Sequence, residues 1–277
     1  MSVIDDFIGG NARDNVLSAL GKAKSNQQYH ALLSFTEARA LERADAVDRG
    51  EITGKLAGVP FVVKDNFLAF GAPTTAASKM LEHFNAPIQS TAVEKLEAEG
   101  AICIGKANLD AFANGGSTEN SAYGPTKNAF DQTRVSGGSS GGSAVVTALD
   151  IVPFALGSDT GGSIRQPASF NGVVGVKPTY GTVSRYGVVA MASSTDTIGV
   201  LATSVGDAEQ VMEIIAGNDS KDMTTLPDFF VLEKEAGTGK KIGLIKEFMT
   251  DDVDPEVRSR VLEYVQRLRE AGHIVDE

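Results

Sequence analysis

Residues 56–63, 101–105 and 151–156 are short, nearly unbroken apolar runs, with segments of helical character between them. Such a run offers no polar face to solvent, so each predicts a strand buried on both sides, as in a sheet covered by helices. The intervening segments carry helix signals. Residues 14–49 repeat Leu17, Leu20, Leu32, Leu33 and Leu41 and read as helix; residues 89–99 have Thr91 near their start and Gly100 beyond their end; residues 143–149 are a helix of small side chains. A further helix is expected over 163–170 and a strand over 240–245. Asp254 and Pro255 cap an amphipathic helix that runs to about Ala271, with Gly272 as its stop, and residues 273–277 begin another strand. The alternation predicts an α/β fold with a largely buried sheet.

Several function classes are disfavoured by composition. No apolar run approaches the roughly 18 residues of a membrane span. The N-terminus lacks the basic-then-apolar pattern of a secretory signal. The lone Cys103 excludes an internal disulfide framework and fits a reducing compartment, so a cytoplasmic location is expected. The net charge of −11, with no basic patch, argues against direct nucleic-acid binding. His30, His83 and His273 are scattered without HxxxH or HxH spacing, which disfavours both a metal site and a Ser-His-Asp triad.

The chemistry lies in two glycine-rich segments and one lysine. Residues 135–143 read Val-Ser-Gly-Gly-Ser-Ser-Gly-Gly-Ser, and residues 157–165 read Gly-Ser-Asp-Thr-Gly-Gly-Ser-Ile-Arg. Lys64 follows the first apolar run directly. A serine hydroxyl needs a base before it can attack a carbonyl. Lys64 can serve if burial lowers its pKa, with a second serine passing the proton. Ser163 then attacks and Ser139 relays. The backbone N–H groups of Thr160, Gly161, Gly162 and Ser163 form a candidate oxyanion hole, aided by the helix dipole if Ser163 opens a helix. Each feature alone has a plainer reading: a flexible Gly-Ser loop, a phosphate-binding loop, a solvated surface lysine. Asp159 and Arg165 are read as a structural pair that shapes the loop. Gly237 to Lys240 resembles the end of a phosphate loop, but Lys234 occupies the required first glycine position, and the segment is read as a turn.

Taken together, the lysine after a strand and the two glycine-serine segments resemble the amidase signature family. The resemblance implies Ser163 as nucleophile, Ser139 as a bridging serine associated with a cis peptide bond, Lys64 as base, and an oxyanion hole at Thr160, Gly161, Gly162 and Ser163. It implies a mixed central β-sheet covered by helices on both faces. One domain would span 1–277, with a helical portion over about 1–50, a catalytic core over about 51–235 and the start of a C-terminal portion over about 236–277.

Within that family, residues 106–112, 116–125, 177–187, 193–199 and 215–220 are similar to the glutamine-hydrolysing A subunits of tRNA-dependent amidotransferases. That branch implies a glutaminase whose ammonia converts Glu-tRNA(Gln) to Gln-tRNA(Gln). Its partners would be the B and C subunits of such a complex, with tRNA met only through a partner. ATP and Mg2+ would be used by the B subunit, and this chain would hold no cofactor. The chain ends within a predicted strand, so a C-terminally truncated form is expected, lacking the residues that grip glutamine's α-amino and α-carboxylate groups. A free-standing amidase and a truncated, non-catalytic assembly piece are the alternatives.

Overall fold

The computed structural model describes residues 2–226 and 237–276, which divide between two compact units, 1–230 and 231–277. The boundary expected near 235 and 236, Lys234, and the terminal Glu277 lie outside the described residues.

The first unit is built on a six-stranded sheet of order β1-β3-β2-β4-β6-β5. Its strands are β1 (Leu32–Phe35), β2 (Pro60–Lys64), β3 (Ile102–Ala107), β4 (Phe154–Asp159), β5 (Val174–Val176) and β6 (Thr197–Ala202). Central β2 runs parallel to β3 and β4, while the β1–β3, β4–β6 and β5–β6 pairs are antiparallel. The sheet is therefore mixed. Its middle strands bear side chains buried on both faces, as their unbroken apolar runs require.

Helices α1 (Ala12–Ser25), α2 (Glu37–Asp48), α3 (Thr91–Ala98), α4 (Gly141–Ala148), α5 (Arg165–Phe170) and α6 (Val205–Ile215) surround it. Alternation along β2 sorts the layers. Phe61 and Val63 pack in a cluster with Val93 and Leu96 of α3 and Val211 and Ile215 of α6. Val62 points the other way, into a cluster with Val16 of α1, Ala40 of α2 and Val145 of α4. Phe61 and Phe154, side by side on β2 and β4, stack with ring centroids 5.5 Å apart.

Several expected boundaries move. Residues 14–49 are not one helix. Asn26 ends α1, His30 takes a left-handed conformation (φ 52°), and Leu32 and Leu33 lie in β1, paired to the edge of β3. Two leucines at this spacing fit a helical stripe, but pairing with β3 wins. The strand expected over 56–63 starts only at Pro60, after a turn in which Gly58 adopts φ 83°. The strand expected over 151–156 starts at Phe154. Strands β5 and β6 and helix α6 lie outside the elements expected from sequence.

In the second unit, β7 (Lys241–Gly243) and β8 (Ile274–Asp276) pair in parallel, joined by α7 (Pro255–Glu270). Asp254 caps α7, accepting from the Glu256 N–H at 2.8 Å. The segment at Gly237 to Lys240 forms no helix, and Gly239 has φ 78°. No helix among the described residues is long and apolar enough to cross a membrane.

Candidate active site

Lys64 is the last residue of β2 and is completely buried. Its Nζ lies 2.7 Å from Ser139 Oγ, 2.9 Å from Ser158 Oγ and 3.2 Å from the Ser158 carbonyl oxygen. Burial pushes the Lys64 amine down to about 7, against the opposing pull of Asp110, Asp159 and Asp196. A contrast stands one strand away. Lys106 on β3 is equally buried, yet its Nζ sits 2.9 Å from Asp65 Oδ1 and also donates to Phe67 O and Thr74 Oγ1. Lys106 thus sits against a carboxylate, whereas Lys64 touches only hydroxyls and a carbonyl. That leaves Lys64 as the lysine suited to accepting a proton.

Ser139 sits in the glycine-rich loop before α4, and the Gly138–Ser139 peptide is cis. The close approach demands glycine here: a Cβ on Gly138 would lie 2.2 Å from Asp110 Oδ2, and one on Gly142 would lie 2.5 Å from Asn108 O. The two glycine-rich segments are joined directly. Ser140 N–H donates to Ser163 O at 3.1 Å, and Ser140 Oγ donates to Ser158 O at 3.2 Å.

Ser163 lies in the turn after β4, and at 9% exposure it is the one of the three expected site residues that reaches the surface. It opens onto a cleft of about 410 Å3, shared with Gly138, Thr160, Gly161, Gln166 and Met191. Lys64 and Ser139 lie behind this wall, fully buried. No hydrogen bond joins Ser139 to Ser163 among the described residues. The first residue of α5 is Arg165, so Ser163 precedes the helix rather than opening it, and α5 has only six residues.

The expected oxyanion hole is only partly available. Gly162 N–H donates to Asp159 Oδ1 at 2.7 Å, while the Gly161 and Ser163 amides have no hydrogen-bond partner among the described residues. Asp159 is occupied as a structural anchor. It also accepts from the Ile164 N–H (3.0 Å) and from Arg165 Nε (3.1 Å) and Nη2 (3.0 Å). Burial would raise its carboxyl, but the Arg165 and amide hydrogen bonds outweigh it and hold it down at about 2. The expected Asp159–Arg165 pair is therefore present and shapes this turn.

Three contributors carry no signal of their own in the sequence. Ser158 holds the Lys64 amine and itself accepts from Asn66 Nδ2 at 3.1 Å. Asp110 gathers the Ser117, Thr118 and Asn120 amides beside the cleft. Asp196 accepts from Thr160 Oγ1 at 2.6 Å. Ser158 and Asp196 reach partners far away along the chain, Lys64 and Thr160, whereas Asp110 gathers amides of the loop that follows it.

Known proteins share this fold and much of this sequence. The amidase family profile matches residues 14–277. A Glutamyl-tRNA(Gln) amidotransferase A subunit from Gloeobacter violaceus is 52% identical over 258 residues, covering 90% of this chain and 53% of that protein. One from Lacticaseibacillus casei is 51% identical over 256 residues, 90% of this chain and 53% of its own length. The chain thus spans about half the length of these curated relatives. The crystal structure of a Thermotoga maritima Glutamyl-tRNA(Gln) amidotransferase A subunit superposes with a TM-score of 0.86 at 42% identity, covering 95% of this chain and 57% of that one. Native peptide amidase from Stenotrophomonas maltophilia superposes with a TM-score of 0.85 at 33% identity, covering 96% and 58%. With one profile running from residue 14 to residue 277, the chain belongs to the amidase family.

Proposed function

We propose that this chain carries the glutamine-hydrolysing centre of a tRNA-dependent amidotransferase, with Ser163 as nucleophile, Ser139 as relay and Lys64 as base. The observation that carries the reading is the 2.7 Å approach of a fully buried, carboxylate-free Lys64 to Ser139 directly behind the cleft. An amine poised near neutrality accepts a proton without a histidine.

The reaction follows from the atoms. Lys64 Nζ takes the proton of Ser139 as Ser139 Oγ takes that of Ser163. Ser163 Oγ bonds to the side-chain carboxamide carbon of glutamine. The developing oxyanion is stabilised by the Gly161 and Ser163 amides, together with that of Thr160. The carbon–nitrogen bond then breaks, and the relay returns the proton to the leaving ammonia. Water, deprotonated by the same relay, cleaves the acyl-enzyme to glutamate. The relay needs Ser163 within hydrogen-bond reach of Ser139, a contact that catalytic sites commonly tighten only with substrate bound. ATP and Mg2+ belong to the later amidation on the partner B subunit. The C subunit would hold the two together, with tRNA bound by the partner and the complex in the cytoplasm.

Identity of about 50% to several amidotransferase A subunits supports this reading over a free-standing amidase. The test is glutamine hydrolysis by the native complex and by its Ser163→Ala variant. Loss of ammonia release in the variant is expected, and unchanged release would overturn the assignment. Hydrolysis of simple amides without partners or tRNA would favour the free-standing enzyme, and a Ser163 that never reacts with a fluorophosphonate would favour a non-catalytic assembly piece.

A further inference from the structure

We propose that Gln166 is a positioning residue that clamps the relay-serine loop to the opposite wall of the cleft. The inference rests on the glutaminase reading above and assigns one more side chain to that site.

Gln166 lies one residue past the start of α5, which fixes its backbone through Gln166 N–H donating to Gly162 O at 2.8 Å. Its side-chain amide is used at both ends. Oε1 accepts from Gly138 N–H at 2.9 Å, one residue before Ser139. Nε2 donates to Gly116 O at 2.9 Å. Because Gly138 N–H only donates and Gly116 O only accepts, the orientation of the amide is fixed by its partners. One side chain thus ties three segments together: the Ser163 turn, the Ser139 loop and the loop around Gly116.

The loop around Gly116 needs such a tie. Phe112, Ala113 and Thr118 all take left-handed backbone conformations, with φ of 52°, 59° and 57°. Such conformations are sparsely populated for residues with a Cβ and persist only where surrounding contacts over-determine them. Asp110 supplies one anchor through the Ser117, Thr118 and Asn120 amides. Thr118 Oγ1 adds a second by donating to Gly137 O at 2.8 Å, and Gln166 adds a third, from across the cleft. The clamp sets where the Gly138–Ser139 backbone stands relative to Ser163, and so the path of the proton between the two serines.

Two variants separate the parts of the clamp. Gln166→Met keeps the length of the side chain and removes both hydrogen bonds. Gln166→Glu keeps the acceptor for Gly138 N–H but replaces the donor to Gly116 O with a carboxylate oxygen that repels that carbonyl. A misplacement of about 1 Å in a catalytic group costs on the order of 100-fold in rate. In the native enzyme, Gln166→Met is therefore expected to lower both kcat for glutamine and the rate of fluorophosphonate labelling at Ser163 by roughly 10- to 100-fold, with KM little changed and thermal stability close to wild type. Gln166→Glu, which keeps the bond to Gly138 N–H alone, is expected to recover part of that loss. Wild-type kcat and labelling in Gln166→Met would overturn the proposal while leaving the glutaminase reading intact. A raised KM at unchanged kcat would also overturn it, by assigning Gln166 to substrate contact. A wild-type Ser163 inert to both probe and glutamine would remove the glutaminase reading itself and the proposal with it.

Discussion

Thr160 Oγ1 donates to Asp196 Oδ1 across 2.6 Å, so the turn that leads into Ser163 is fastened to the loop that follows Met191. The same buried carboxylate accepts from the Met191 and Ala192 amides at 2.9 and 3.1 Å. Asp196→Ala removes all of these acceptors at once and leaves polar donors behind. A buried donor without a partner costs about 1–3 kcal/mol, so denaturant unfolding is expected to show a loss of at least that size. Asp196→Asn, which keeps one acceptor oxygen, is expected to lose less. Equal stability of all three proteins would show that the contact is dispensable.

The base sets a pH dependence with a definite sign. As the proposed base, Lys64 would act only when neutral, and its amine is held at about 7. Protonation below that value removes the acceptor, so kcat/KM and the labelling rate of Ser163 are expected to fall about tenfold per pH unit on the acid side and to level off above it. The same profile holds for any substrate, because the group titrates in the free enzyme. Lys64→Arg replaces the amine with a group that stays charged and is expected to be inactive throughout. A flat acid limb between about pH 5 and 7 would remove Lys64 from the role of base.

Two glycines of the site make opposite predictions. A Cβ on Gly138 meets Asp110 Oδ2 at 2.2 Å and the Ser117 amide at 2.7 Å, whereas one on Gly161 meets nothing within 4 Å. Gly138→Ala is expected to lower the melting temperature, because backbone and a buried carboxylate must shift. Gly161→Ala is expected to leave melting unchanged and to depress turnover, because its methyl adds bulk without a clash at a residue that lines the cleft beside Ser163. Melting curves beside kcat/KM for the two variants decide the matter, and a destabilised Gly161→Ala would contradict the open geometry.

Acid stability reports on Asp159. Its folded value of about 2 lies below the ordinary carboxyl value of about 3.9 in an unfolded chain. A depressed carboxyl stabilises the fold above its unfolded value, and that contribution fades as the pH falls from about 4 through 2. Arg165→Met removes the strongest of the hydrogen bonds that depress it. The difference in unfolding free energy between wild type and variant is expected to be on the order of 1–2 kcal/mol near neutrality and to shrink toward zero by about pH 2. A difference constant with pH would mean that Arg165 acts through packing alone.

The Lys64–Ser139 contact is expected from the sequence, where Ser139 is read as the relay to Lys64, but the surroundings of that contact are not legible there. Lys64 stands out because it closes an apolar run, and Ser139 and Ser163 because glycines frame them. Each of those signals is local. Ser158 escapes notice because its role comes from β4 lying beside β2, a fact of pairing that no nearby residue encodes. The bond that occupies the Gly162 amide escapes notice for a related reason: Asp159 lies three residues back, and only the folded turn aims its carboxylate at that amide. The fold divides the same way. Helix α3 and strand β3 follow from their own residues. β1 hides inside an apparent helix because Leu32 and Leu33 suit either period and only β3 chooses between them. β6 has no expectation from sequence, although it pairs with β4 along its whole length.

Lys64 stands where β2 ends between its two parallel neighbours, while Asn114 and Met191 of the cleft rim belong to loops. The proposed proton acceptor is thus held by the sheet interior, whereas the entrance is shaped by the rim. Exchanging residues at Asn114 or Met191 alters the shape of the entrance and leaves the proton acceptor in place. The proposed base is set back from the entrance in this way, whereas Ser163 itself lines the cleft.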